Sequence, residues 1–314
     1  MAGYNTIRGL RVKYLSADPA TSEDGQVWYN STTGNLRLQG IAAWASGGAM
    51  GTARQAIDGC GTQTAGLVAG GYISGNVANT EKYDGSTWSP SGNLNTARRS
   101  MSTEGTQTAA ILANGFAGAA TNVSEEYNGS TWTSGNNSNV SLELRGGAGT
   151  QTSTLFFGGG PTDSNTTEKY DGTSFTTANT LNTARKSLDG AGTQTAALAF
   201  AGFTGPSTRT AVTESWNGTS WTNVNSMNTA RLGLGGGGTQ TAAIGFGGSV
   251  PPSTGATELY DGTSWVASVN MATARQDLAG FGTSSSALGA GGYSTALTAV
   301  TEEYNVATAN ISTS

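Results

Sequence analysis

Short apolar runs such as Ala109-Ala110-Ile111-Leu112 recur along the chain between stretches of Gly, Ser, Thr and Asn. Runs of that length, bounded by turn-forming residues, predict strands. Each run lies between two fixed marks. Before it stands Gly-Thr-Gln-Thr, at Gly61, Gly105, Gly149, Gly192 and Gly238, with an altered copy at Gly282-Thr283-Ser284-Ser285. After it stands Glu-x-aromatic: Glu81/Tyr83, Glu125/Tyr127, Glu168/Tyr170, Glu214/Trp216, Glu258/Tyr260 and Glu302/Tyr304. Five of these continue through Asp-Gly or Asn-Gly to Trp88, Trp132, Phe175, Trp221 and Trp265. An arginine precedes every Gly-Thr motif: Arg54, Arg98, Arg145, Arg185, Arg231 and Arg275. The chain thus holds six copies of one unit, at intervals of 44, 44, 43, 46 and 44 residues.

Each unit reads as four strands. In the second copy, strand one spans Arg98 to Glu104 and Gly105-Thr106 turns the chain. Strand two runs from Thr108 to Leu112, strand three from Val123 to Tyr127, and strand four carries Trp132. The Asn-Gly and Asp-Gly pairs between strands three and four predict type I′ hairpins, whose two central residues need positive φ. Four strands in about 44 residues is the size of a propeller blade. The expected fold is therefore all-β, a six-bladed propeller over residues 41–314 behind an N-terminal arm of residues 1–40.

The sixth unit lacks its last aromatic, whereas Trp44 lies ten residues before Arg54, the offset of Trp88 from Arg98. The strand around Ile41–Trp44 would then pair with unit six and cover both sheet edges, which open sheets must protect. The alternative is that residues 307–313 supply that strand.

Composition narrows the chemistry. Of 314 residues 48 are Gly, one is Cys (Cys60), and none is His. Without His there is no Ser-His-Asp or Cys-His nucleophile and no His-ligated metal. A net charge of -5, with 15 basic and 20 acidic residues, argues against nucleic-acid binding. No apolar stretch is long enough for a membrane span. Met1-Ala2-Gly3-Tyr4-Asn5 shows no signal peptide, so synthesis in a cytoplasm is expected. No cofactor and no metal is expected.

The pattern resembles the kelch family of β-propellers over residues 41–306. Its marks, a Gly pair after strand two and a spaced Tyr and Trp, appear as Gly70-Gly71, Tyr83 and Trp88 and as Gly247-Gly248, Tyr260 and Trp265. Gly158-Gly159, Tyr170 and Phe175 form a third set, while Asn114-Gly115 and Ala201-Gly202 depart from the pair. The resemblance implies a fold and no particular activity. Kelch-type copper oxidase chemistry needs His ligands, which the chain lacks. Sialidases carry a similar turn, but with an extra residue between Asp and Gly. Six-bladed fucose lectins use an Arg, a Glu and a Trp in each blade. Here the repeated Arg54, Arg98, Arg145, Arg185, Arg231 and Arg275 are read instead as ion-pair partners of Glu81, Glu125, Glu168, Glu214, Glu258 and Glu302, bridging blades. Asp58, Asp189 and Asp277 are expected to pair with nearby Arg or Lys groups, and no enzyme activity is expected.

Gly25-Gln26-Val27-Trp28-Tyr29-Asn30, followed by Thr33-Gly34-Asn35-Leu36, resembles a short module near the N-termini of bacteriophage structural and tail-appendage proteins. Trp28, Tyr29, Leu36 and Leu38 are the candidate attachment residues, with Val27, Tyr29, Leu36 and Leu38 forming the packed face. Loops two–three and four–one, at the other end of the sheets from the repeated turns, differ between units, and such loops carry recognition. Their candidate binding residues are Tyr72, Asn76, Phe116, Asn122, Asp163, Asn165, Arg209, Pro251 and Tyr293. The resulting expectation is a homo-oligomeric virion protein, without nucleic-acid or membrane partners. It would hold other virion proteins through its arm and a host-surface glycan or protein through its loops. The alternatives are a capsid decoration or tail adaptor, and a six-bladed lectin outside a phage.

Overall fold

The computed structural model describes residues 12–17 and 27–311, the side chains of residues 13, 37–41 and 307–311 apart. Every regular element among them is a strand, and no helix is long and apolar enough to cross a membrane. The chain divides into two compact units, Met1–Ala43 with Asn305–Ser314, and Trp44–Tyr304.

In the first unit, Val27–Asn30 pairs antiparallel with Asn35–Ser46 across a turn closed by Gly34. The Asn30 side chain accepts the Thr32 and Thr33 amides, both at 3.1 Å, and so fixes that turn. A strand that the pattern did not predict, Lys13–Leu15, adds in parallel to Val27–Asn30. The packed face also differs from expectation. Successive side chains of a strand alternate between faces, and the buried pair here is Trp28 and Asn30, while Val27 and Tyr29 are half-buried. Tyr29 instead meets Tyr14 at 4.5 Å between ring centres. Leu36 is half-buried, and the Leu38 side chain lies outside the described residues.

The second unit is propeller-like: repeated antiparallel four-stranded sheets, each a meander. Five are complete, and the sheet of unit six takes Asn35–Ser46 next to Thr301–Ile311 as its fourth strand. Thr301–Ile311 runs on without turning back, so residues 307–311 do not supply that strand. Gly47 donates to the Thr301 carbonyl at 2.9 Å, and Trp44 meets Tyr304 at 5.3 Å, as Trp132 meets Tyr127 at 5.0 Å. A two-stranded ribbon, Phe203–Thr204 with Thr208–Arg209, is inserted in unit four.

Two local expectations need correction. Strand one of unit two is Ser102–Thr106, and the turn falls at Gln107-Thr108, so Gly105 lies inside the strand. There it has φ 127°, and a Cβ would stand 2.3 Å from the Ala109 carbonyl oxygen. Glycine is needed for that close approach between strands, not for the turn. The strand three–four hairpins hold four residues rather than two. Asp84 accepts the Ser86 and Thr87 amides at 2.9 and 2.7 Å, with positive φ at Gly85 alone in that loop. Asn128 does the same to Ser130 and Thr131, at 3.0 and 2.9 Å.

The innermost strands, Asp58–Thr62, Ser102–Thr106, Gly146–Thr150, Asp189–Thr193, Gly235–Thr239 and Ala279–Thr283, lie against one another in that order, and the last lies against the first. Just before each, one residue takes a left-handed conformation: Ala56, Ser100, Leu144, Ser187, Gly233 and Asp277. Their backbones form a cycle. Ser100 donates to Ala56, Leu144 to Ser100, Ser187 to Leu144, Gly233 to Ser187, Asp277 to Gly233 and Ala56 to Asp277, all within 2.7–3.0 Å. A non-glycine residue in this region costs of order 1–3 kcal/mol, and five of the six positions carry one. The hydrogen bond to each side offsets that strain.

Candidate binding face and axial cavity

The repeated polar residues are used inside the sheets. Arg98 meets Glu125 at 2.8 Å with both side chains buried, and Arg54–Glu81, Arg185–Glu214 and Arg275–Glu302 are equivalent. Arg231 and Glu258 stand 3.3 Å apart. Each glutamate also accepts amides from the preceding connection, as Glu258 does from Asn228 at 2.7 Å and Thr229 at 3.2 Å. These pairs lie within one unit and do not bridge two. What crosses to the neighbour is the arginine carbonyl, which accepts Gly71 at Arg98 and Gly248 at Arg275, both at 2.8 Å.

Arg145 is the exception. Five arginines precede their Gly-Thr by seven residues and Arg145 by four, so it occupies the site of buried Ile57, Met101 and Leu188. Leu142 stands where the arginine belongs, and its carbonyl accepts Gly115 at 2.9 Å as the arginine carbonyls accept their glycines. The displaced guanidinium nevertheless ends in the usual place, 2.6 Å from Glu168 and 3.1 Å from the Phe156 carbonyl. It also donates to Asn114 Oδ1 at 2.9 Å. Asn114 replaces the first Gly of the pair and keeps its left-handed conformation, with φ 65° against 61° at Gly70. The two departures from the repeat answer each other across the unit boundary.

Two further side chains join neighbouring units. Gln107 donates to the Gly66 and Tyr83 carbonyls of unit one at 3.1 and 2.6 Å, and Gln63 to the Ala287 and Tyr304 carbonyls of unit six at 3.0 and 2.8 Å. Trp132 donates to Thr80 at 3.0 Å, Trp88 to Thr301 at 2.9 Å and Trp44 to Thr257 at 3.1 Å. Phe175 has no such donor, and the facing residue is Ser124, which turns to the Asn136 carbonyl at 2.7 Å.

The inner strands line two small, open cavities, of about 70 and 130 Å³, both bounded in part by Asp58, Glu104 and Asp189. The expected pairing of the aspartates with Arg or Lys does not occur. Asp58 accepts the Thr103 amide at 2.6 Å, Asp189 accepts Gly190 at 2.7 Å, and Asp277 accepts the Gln276 side chain at 3.3 Å. The cause is position: strand alternation turns Asp58 and Asp189 toward the open amide edge of the inner strands. Burial pushes the Asp58 carboxyl up to about 7, against the pull of the Gly59 and Thr103 amides. Burial first, and then the negative charge of Asp58, raises Glu104 and Asp189 well above the carboxylate range. Burial also raises Asp277. The cavities are smaller than the roughly 300 Å³ at which small-molecule sites begin. Among the described residues no group of three or more Cys, Asp or Glu is placed to hold a metal ion.

At the loop end, one antiparallel bridge recurs in each unit, and it sets six loop positions in register: Tyr72, Phe116, Gly160, Phe203, Ser249 and Tyr293. Their partners, directly preceding the left-handed residues, are Gln55, Arg99, Glu143, Lys186, Leu232 and Gln276. Of the candidate binding residues, the structure brings Tyr72, Asn76 and Phe116 together around Arg99, which sequence reasoning missed. The Arg99 guanidinium lies 4.8 Å from the centre of the Tyr72 ring and 4.4 Å from that of Phe116. Its Nη1 donates to Asn76 Oδ1 at 3.2 Å, and Asn76 Nδ2 donates to the Phe116 carbonyl at 2.8 Å.

The other candidates are not gathered there. Asp163 faces Lys186 at 3.6 Å and accepts the Gly205 amide, while Arg209 donates to the Ser249 carbonyl at 2.9 Å. Asn122 Nδ2 donates to the Ser138 carbonyl at 3.2 Å. Asn165 and Pro251 are exposed, as is Tyr293 at 37%. The missed signal was the adjacency Arg98-Arg99, in which only the first arginine belongs to the repeat.

No protein-family model matches the chain, and no curated protein is detectably similar to it.

Proposed function

We propose that the six units form a closed, six-bladed, kelch-like propeller that serves as a non-catalytic binding head. We read it as the adhesion part of a bacteriophage appendage, held to other virion proteins through residues 1–40 and presenting its loop end to a host-surface glycan. The single observation that carries this reading is the contrast between the two ends of the sheets. The repeated Arg, Glu, Gln and Trp side chains are taken up in holding units together. Register positions at the loop end are not held to one residue: they carry Tyr in two units (Tyr72, Tyr293), Phe in two (Phe116, Phe203), Gly160 in one and Ser249 in one. Closure is supported by the six-membered backbone cycle and by the contacts of Gln63 and Trp88 with unit six. The phage assignment is supported by the resemblance of residues 25–36 alone.

The axial carboxyls are read as folding elements, because Asp58 and Asp189 cap backbone amides and the space beside them is small. The rival reading, a capsid decoration or tail adaptor that touches only virion proteins, is favoured by the loop-to-loop contacts of Asp163 and Arg209. Titrating the full-length chain against a panel of bacterial envelope polysaccharides separates the two. The adhesion reading expects saturable binding that loop-end substitutions remove. Absence of affinity for every polysaccharide and every intact envelope fraction rejects it in favour of the adaptor.

A further inference from the structure

We infer that Arg99 is the anchor of a carboxylate-recognition site, so that the glycan taken at the loop end contains an acidic sugar. The inference rests on the adhesion reading and adds the ligand class to it.

A guanidinium can be approached on its two flat faces or along its edges. Two rings pack against Arg99, with the guanidinium carbon 4.8 Å from the centre of Tyr72 and 4.4 Å from that of Phe116, and one edge nitrogen, Nη1, is taken by Asn76. The backbone beneath is tied down as well, since Arg99 and Phe116 exchange N–H···O=C bonds of 3.2 and 2.8 Å. What is left is the edge formed by Nε and Nη2, two parallel N–H groups without a hydrogen-bond partner among the described residues. Arg99 also has no carboxylate within 4.0 Å among them. That edge is the fork that binds a carboxylate through two parallel hydrogen bonds.

The other cations of the Trp44–Tyr304 unit are engaged differently. The six repeat arginines are buried against glutamates. Lys82 and Lys169 donate to the Gly129 and Gly218 carbonyls in the turns, both at 2.8 Å, and Lys186 faces Asp163. Arg209 already uses Nε and Nη2 on Ser249. Arg54 also leaves Nε and Nη2 unpaired, but both are buried, so among these side chains Arg99 is the one whose intact fork is partly exposed. It is also preorganised: two aromatic rings and Asn76 hold a side chain that would otherwise lose rotamer freedom on binding, which lowers the cost of association. Glu143, at the equivalent position of the next unit, is partly buried and raised in pKa by that burial, against the opposing pull of Arg99 and Lys186. It therefore repels an incoming anion less than an exposed glutamate would.

The test titrates the full-length chain with hexuronic and sialic-type acid oligosaccharides, each beside its carboxyl-reduced neutral counterpart, and with acetate as a bare carboxylate. Binding is read by calorimetry and by the NMR signal of the Arg99 Nε–H. The acidic oligosaccharides should bind at least about tenfold more tightly than the reduced ones and shift the Nε–H, with acetate far weaker. Arg99→Lys keeps the charge and loses the fork. It should bring binding of the acidic oligosaccharides down to the level of their reduced counterparts, a loss of at least about tenfold, while the chain still unfolds cooperatively. Equal affinity for acidic and reduced forms, or unchanged binding by Arg99→Lys, overturns the inference. If neutral envelope polysaccharides still bind through the loop end, the adhesion reading survives that result. If nothing binds, both fall.

Discussion

The turn end and the loop end of these sheets are built from the same six units and use their side chains in opposite ways. At the turn end, Gln107, Gln151 and Gln194 each reach back to two carbonyls of the preceding unit, and Asp84, Asn128, Asp171, Asn217 and Asp261 each hold two amides of their own loop. The same atoms do the same task in five of the six units; unit six has Ser284 in place of the glutamine, and its third strand runs on past the site of the turn. At the loop end the backbone bridge repeats while the side chains vary: Lys186 over the Phe203 ring, at 5.9 Å, is a partial counterpart of Arg99 with Phe116, but it lacks the second ring that Tyr72 supplies. Identical packing problems hold a sequence constant, and positions released from them are free to carry recognition.

The strongest way to break the constant side is to remove one charge from a buried pair. Glu214→Gln leaves Arg185 buried beside a neutral amide, and should cost about 3–5 kcal/mol in denaturant unfolding. Substitution at exposed Pro251 should stay within about 0.5 kcal/mol.

A second test uses pH. Asp58, Glu104, Asp189 and Asp277 bind protons more tightly in the folded chain than an unfolded chain would. Stability should therefore fall as pH rises from about 4 to about 7 and beyond, by on the order of 2 kcal/mol. Asp84, Asp171 and Asp261 are held below the carboxylate range by the amides and hydroxyls of their turns, so their contribution is lost in the other direction, as pH falls below about 4. Thermal melts across pH 3–9 should peak in mild acid. The double variant Asp58→Asn, Asp189→Asn should flatten the alkaline limb and leave the acid limb intact.

Smaller effects sharpen the repeat itself. Restoring the missing Trp–Thr contact by Phe175→Trp with Ser124→Thr should show a favourable coupling of about 0.5–1 kcal/mol in a double-mutant cycle, because neither single change completes the bond. Asp84→Asn should leave the thermal midpoint at neutral pH close to that of the unchanged chain, since Asn128 already accepts the same two amides, and should reduce the loss of stability in acid.

How far the sequence carried the fold follows from what the repeat encodes. Strand count, the four-strand unit and the role of Trp44 in the sixth sheet were legible, because spacing and aromatic offsets survive in one dimension. The backbone cycle through Ala56, Ser100, Leu144, Ser187, Gly233 and Asp277 was not, since left-handed Ala, Ser and Leu carry no residue signature. The shift of Arg145 was visible as a changed offset, but its meaning needed Asn114 beside it. The buried face of Val27–Asn30 was misread because Val27 and Tyr29 look more apolar than Trp28 and Asn30 as a pair. The candidate loop residues were chosen by variability, which finds a region and not a constellation. Only the fold sets Phe116 opposite Arg99 and brings the Tyr72 ring from the neighbouring unit against the same guanidinium.

The claim that one end builds and the other binds is tested most directly by two full-length variants compared on the same envelope polysaccharides. One carries Asp84→Asn, Asp171→Asn and Asp261→Asn at the turn end; the other carries Tyr72→Ser, Phe116→Ser and Tyr293→Ser at the loop end. With both melting cooperatively, the turn-end variant should bind as the unchanged chain does, and the loop-end variant should lose binding by at least about tenfold. Loss of binding in the turn-end variant, or full binding in the loop-end variant, would contradict the account.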